Sequence, residues 1–335
     1  MKIIVDAMGG DNAPHAIVDG CVQALADMPA LELIFTGRRD VIEAELAKHD
    51  YDAARINIVD ATEVIDMAEP PVEAIRYKKD SSLVKGLRLL QAGEAGAFIT
   101  AGSTGATIAG ATLIVKRLPG VKRPALAPLL PTRKGKVLLI DCGANAECRP
   151  SFLAQFALMG SIYMQKMEGI KSPRVGLVNN GAEAEKGTEL TKAAYKLIER
   201  MPVNFKGNAE GRDLVSGDFD VIVTDGFTGN IILKFLEGMA SVLMGMLKDE
   251  LSSTFRAKLG AALAMPAFRS FKKKMDYTEY GGALMLGVNG GVIKAHGSSN
   301  AKAIKSTLRQ AAGFIQADVV GVIKEEISKF SLSDD

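Results

Sequence analysis

The stretch VTDGFTGNIILKFLEG, residues 223–238, begins as an apolar run, passes through a turn bearing two glycines, a threonine and an asparagine, and leaves as a helical pattern. An apolar run bounded by Asp and Gly reads as a buried strand, so the unit is strand, turn, helix. The same unit recurs along the chain. KIIVDAM, LELIFTG, INIVDA, AFITAG, KVLLIDCG and RVGLVNN read as further buried strands, each followed by a turn and a helix. Continuous apolar strands separated by helices predict a mostly parallel sheet covered on both faces, a three-layer α/β/α fold. Residues 278–299, TEYGGALMLGVNGGVIKAHGSS, depart from the alternation: two apolar runs flank Asn289-Gly290-Gly291, as in a hairpin. A closing helix is expected from about Asn300 to Ile327, with Ile304, Leu308, Ala311, Ile315 and Val319 on its core face.

At 335 residues, with no composition break, linker or fixed-period repeat, the chain reads as a single domain over 1–335. Its 41 basic and 39 acidic side chains leave a net charge of +2, which gives no support for nucleic-acid binding. The start, MKIIVDAMGGD, is interrupted at Asp6 too early for a signal peptide, and no run reaches the roughly 18 apolar residues of a spanning helix. A cytoplasmic protein is expected. Cys21, Cys142 and Cys148, with His15, His49 and His296, show no metal-ligand spacing. The thiols are read as reduced and structural, and neither metal nor cofactor is expected.

Five turns after strands are rich in glycine, amide and hydroxyl groups: DAMGGDNAP (6–14), TAGSTGAT (100–107), DCGANAE (141–147), NNGAEAEKG (179–187) and DGFTGN (225–230). In a parallel sheet such turns leave from one edge, where ligands bind. Glycine lets backbone N–H groups approach a ligand, and a helix that starts there adds unpaired donors and partial positive charge. Helical side chains lean toward their own N-terminus, so Lys234 could extend back over the turn and pair with an anion held there. Taken singly, each glycine could be a turn residue and Lys234 a snorkelling surface side chain. Their coincidence favours a shared anion site. The dinucleotide fingerprint, the P-loop and the G-x-S-x-G elbow are missing.

DAMGGDNAP, TAGSTGA, DCGAN, GAEAEKG, DGFTGNIILK, YGGA and IKAHGSS, in this order and across essentially the whole chain, resemble the phosphate acyltransferase (PlsX) family. Cys142 and Asn180 stand where aliphatic residues are usual in that pattern. The resemblance implies an isocitrate/isopropylmalate dehydrogenase-like fold and transfer of a long-chain acyl group from acyl carrier protein to inorganic phosphate, giving acyl phosphate for phospholipid synthesis. A phosphate acyltransferase using short-chain acyl-coenzyme A is the nearest alternative. A homodimer is implied as well. His296, Lys234 and Asn230 are then the candidate catalytic residues, His296 as a proton donor or a hydrogen bond to the carbonyl. Gly9, Gly10, Asp11, Ser103, Thr104, Gly105, Asn145, Lys186, Thr228, Gly229 and Ser298 make up the candidate substrate-binding set. Asp6, Asp141 and Asp225 are read as loop braces, accepting backbone N–H bonds, and Asp11 is open to the same reading.

Residues 251–275, LSSTFRAKLGAALAMPAFRSFKKKM, carry six basic side chains and no acidic one. Leu251, Phe255, Leu259 and Leu263 recur every four residues up to Pro266, which is expected to break the helix. A protruding basic amphipathic helical segment could lie on an anionic membrane or dock a partner, either acyl carrier protein or a membrane glycerol-3-phosphate acyltransferase. Its candidate contacts are Phe255, Arg256, Lys258, Leu259, Leu263, Lys272 and Lys273. The competing use of the apolar stripe is a dimer interface or the core.

Overall fold

The computed structural model describes residues 1–275 and 280–330, without the side chains of 272–275. In chain order the elements are β1 (Lys2–Asp6), α1 (His15–Asp27), β2 (Glu32–Gly37), α2 (Arg39–Leu46), β3 (Ile56–Asp60), α3 (Pro71–Tyr77), α4 (Ser82–Gln91), β4 (Ala97–Thr100), α5 (Thr104–Gly110), β5 (Ala125–Ala127), β6 (Leu129–Thr132) and β7 (Gly135–Ile140). The second half continues with α6 (Pro150–Glu168), β8 (Arg174–Val178), α7 (Glu189–Ile198), β9 (Asn204–Ala209), β10 (Val221–Val223), α8 (Gly226–Ser252), α9 (Phe255–Met275), β11 (Ala283–Leu286), β12 (Gly291–Lys294), α10 (Ala301–Gln316) and α11 (Val319–Ser328).

The strands divide between two sheets. One runs β3-β2-β1-β4-β12-β11-β5 and is parallel from β3 to β12, with β11 antiparallel to both neighbours. The other runs β6-β7-β10-β8-β9, with only the β6–β7 pair antiparallel. Along β1 the side chains alternate between faces. Ile3 and Val5 join a core with Phe35, Phe156, Tyr163 and Leu308, while Ile4 joins a second core with Leu87, Phe98 and Val292 on the opposite face. Helices therefore cover both faces, as the alternating pattern implied.

Three local readings change. The closing helix is two, because Asp318 adopts the left-handed conformation at φ 46° and its carboxylate caps α11 at Gly321 N–H (3.2 Å). Pro266 does not end its helix: α9 runs through it, and Leu251 falls in α8 beyond the Ser253–Thr254 turn. Strands β5, β6 and β9 lack a strong signal, since β5 and β6 are three and four residues long on either side of Pro128 and β9 carries Lys206 and Gly207.

The α8–α9 hairpin leaves much of its apolar surface in solvent. Phe227, Ile231, Phe235, Met239, Leu243 and Met246 are all exposed and form a stripe along α8 about 28 Å long at 1.5 Å per residue. Helix α8 is also, by length and composition, apolar enough to cross a membrane, with mean hydropathy 1.5 and none of its most apolar window buried. Lys234 and Glu237 inside it hid this from a reading by uninterrupted runs. On α9, Phe255, Leu259 and Leu263 are exposed beside Arg256 and Lys258, whereas the side chains of Lys272 and Lys273 lie outside the described residues.

Candidate active site

The register of the larger sheet sets Asp6, Thr100 and Lys294 side by side at the carboxyl ends of β1, β4 and β12. Thr100 Oγ1 donates to Asp6 Oδ2 at 2.7 Å, Met8 N–H donates to Asp6 Oδ1 at 3.1 Å, and Gly102 N–H donates to Thr100 Oγ1 at 2.9 Å. Burial raises the Asp6 carboxyl pKa, opposed by hydrogen bonds from Ser82, Thr100 and the Met8 and Gly9 amides. A Cβ on Gly9 would stand 2.7 Å from both Asp6 Oδ2 and Gly102 N, so the 6–14 and 100–107 turns meet backbone to backbone only because this residue is glycine. Asp11 N–H donates to Gly297 O (2.9 Å), and Asn12 Nδ2 donates to Ser298 O and Ser299 O. The three turns form one rim. Within it Ser103 Oγ caps α5 at Ala106 N–H, and Gly105 packs on Pro71.

The smaller sheet supplies the facing rim. Asp141 is fully buried and accepts from Leu126 N–H (2.8 Å), Ala144 N–H (3.2 Å), Asn145 N–H (2.7 Å) and Asn145 Nδ2 (2.9 Å). Burial raises its pKa against those four donors. Asp225 caps α8, accepting from Thr228 N–H and Thr228 Oγ1, each at 2.8 Å. Gly226 N–H donates to Asn145 O and Gly229 N–H to Asp225 O. The amides of Gly226, Thr228 and Gly229 and the side chains of Thr228 and Asn145 are thus committed within the rim. They brace it and are not poised to donate to an anion, which revises the roles read for Thr228, Gly229 and Asn145. The bracing read for Asp6, Asp141 and Asp225 matches these bonds.

Between the rims lies a cleft of about 380 Å³. Its polar lining includes Thr104, Asn230, Lys234, Glu237, Lys294 and His296, and its apolar wall includes Leu129, Leu130, Pro131, Val215, Leu233 and Leu236. Four expected residues therefore meet there: Thr104, Asn230, Lys234 and His296. Gly9, Gly10, Asp11, Ser103, Gly105 and Ser298 shape the rim behind them without lining it. Lys186 is not brought in; its side chain packs over Gly181, in a turn tied down by Asn179 Nδ2 to Lys186 O and Asn208 Nδ2 to Glu183 O.

Lys234 reaches the cleft, but its ammonium pairs with Glu237 at 2.8 Å, one turn onward, and does not fold back over the α8 turn. His296 Nδ1 accepts from Ser298 N–H (3.3 Å) and lies 2.8 Å from Ser298 Oγ, which puts the ring proton on Nε2. Burial lowers the His296 pKa, so the ring is neutral near pH 7. Burial also pushes the Cys142 thiol well up and Cys148 to about 12, so neither offers a thiolate. Sequence reasoning passed over Lys294, Glu237 and the β6 wall. The signal for Lys294 was a lysine ending an otherwise apolar strand, GVIK, one residue before Ala295-His296.

The sequence matches the model of the family described as fatty acid synthesis protein over residues 1–321. The phosphate acyltransferase of Clostridium novyi (strain NT) is 51% identical over 329 residues, covering 98% of this chain and 99% of that protein. Among solved structures, a phosphotransacetylase from Streptococcus pyogenes superposes with TM-score 0.62 at 18% identity, covering 95% of this chain and 94% of its own. A Salmonella typhimurium protein described as a 4-hydroxythreonine-4-phosphate dehydrogenase superposes at 0.50 with 13% identity, covering 93% and 98%. At those identities the two structures speak for the fold alone, a dehydrogenase-like α/β architecture. The full-length match and the identity to the clostridial relative carry the assignment: the chain belongs to the fatty acid synthesis protein family and is an acyltransferase.

Proposed function

We propose that this chain transfers a long-chain fatty acyl group from acyl carrier protein to inorganic phosphate, releasing acyl phosphate for phospholipid synthesis. The observation that carries the reading is a cleft lined by two chemistries, cationic and amide-bearing side chains together with aliphatic ones. Phosphate monoesters have a second pKa of about 6, so by analogy phosphate is largely dianionic near neutral pH and can attack the thioester carbonyl directly. A C–O bond forms, the C–S bond breaks, and a thiolate whose conjugate acid has a pKa of about 8.5 leaves without a strong acid. His296 Nε2–H serves the carbonyl oxygen as it gathers negative charge, while Asn230 and Thr104 orient the phosphate. The test is acyl phosphate formation, read by mass spectrometry, from the full-length protein, acyl carrier thioester and phosphate. Acetyl-coenzyme A turning over faster than a long-chain acyl carrier thioester would favour the short-chain reading.

The exposed stripes on α8 and α9, with Arg256 and Lys258 beside them, support attachment of a cytoplasmic protein to an anionic membrane surface, where a glycerol-3-phosphate acyltransferase could receive the product. A homodimer contact is the competing use of the same stripe. In liposome flotation, binding to anionic vesicles is expected to exceed binding to neutral ones and to drop when Leu259→Glu and Leu263→Glu are combined. Equal flotation with both lipid compositions and with the double variant would leave the dimer as the use of this face.

A further inference from the structure

Lys294 is the buried cation of the cleft. The residue is 8% exposed, and its ammonium donates to Ala101 O at 3.1 Å and to Ala295 O. Two carbonyls take two of its three N–H groups, leaving one for a ligand. The charged and titratable groups that face it are Asp6 from β1, Asp11 from the following turn, Lys234 from α8 and, from its own strand end, the neutral His296. Among the described residues none of the carboxylates stands at ion-pair distance from it, and Asp6 is held by Thr100 and Met8. Lys234, by contrast, already has Glu237. A buried charge whose hydrogen-bond partners are only neutral carbonyls, with no carboxylate paired to it, is costly unless a counterion arrives, and this one lines the cleft.

We propose that Lys294, through its remaining N–H, is the residue that holds the phosphate nucleophile in the cleft. This deepens the phosphate acyl-transfer reading and rests on it. Burial pushes the Lys294 pKa down to about 8, so the ammonium is mostly charged at pH 7 and mostly neutral at pH 9. A bound dianion favours the charged form. Phosphate affinity should therefore weaken as pH rises through about 8, by about tenfold between pH 7 and 9 for a group of that pKa.

The experiment measures inorganic phosphate binding to the full chain by calorimetry at pH 7 and pH 9, alongside KM for phosphate and kcat. Lys294→Met is expected to weaken phosphate about 100-fold, with the larger part of the kinetic loss in KM. Lys294→Arg, charged at both pH values, is expected to retain binding and to lose most of the pH dependence. Wild-type affinity unchanged from pH 7 to 9, together with Lys294→Met or Lys294→Arg indistinguishable from wild type at both, would overturn the assignment. Should Lys294→Met not fold, the wild-type pH series and Lys294→Arg decide. Wild type that binds phosphate in this way yet forms no acyl phosphate would instead remove the acyl-transfer reading.

Discussion

Gly229→Ala is expected to destabilise the protein by about 3 kcal/mol and to abolish acyl transfer. In an exposed helix interior the same change raises stability by about 1 kcal/mol, because alanine is the better helix former. Here the sign reverses. A Cβ at position 229 would fall 1.9 Å from the backbone oxygen of Asp141 and 2.9 Å from Thr224 Cγ2, and neither a strand-end carbonyl nor the buried Thr224 side chain can withdraw. To relieve the clash, the first turn of α8 must lift away from the end of β7, carrying Asn230 and Lys234 with it. Gly238 supplies the control in the same helix, since a Cβ there meets nothing within 4 Å and Gly238→Ala should stabilise modestly. Chemical denaturation of both variants measures the contrast; two values of the same sign would show that the close approach is not what position 229 requires.

Replacing His296 with alanine is expected to lower kcat by about 10²–10³, the usual loss when one oxyanion donor is removed. The neutral ring, with Nδ1 bonded to the Ser298 amide, presents its proton on Nε2, and the lowered pKa keeps that form through the neutral range. His296→Gln restores an N–H near the same position and should recover part of the rate without restoring a titratable group. Single-turnover measurements with saturating phosphate isolate the chemical step. A loss confined to KM would move His296 from the carbonyl to ground-state binding.

The repeated strand-turn-helix unit made the layered α/β fold and the ligand edge legible, because apolar continuity is what two-sided burial demands of a strand. His296, Asn230 and Thr104 were legible for the same reason: they follow strands or open helices at that edge. Lys294 was not, since a lysine closing an apolar strand carries no mark of whether its ammonium turns out to water or in toward carbonyls. Thr228 and Asn145 were read as substrate-binding because hydroxyl and amide groups in turns after strands suit either job. Only the positions of Asp225 and Asp141 decide that they brace. The division into two sheets escaped for a different reason, as β5 and β6 around Pro128 are too short to announce a boundary.

Helix α8 is clamped where it begins, by the Asp225 cap and the tight seat of Gly229, and lies in solvent along most of the remainder. A rod anchored at one end behaves as a cantilever. A load applied at Met246 acts about 24 Å from Asn230, at 1.5 Å per residue, and arrives there as torque on residues that line the cleft. Whatever grips the outer arm therefore has mechanical purchase on the shape of the cleft without ever entering it.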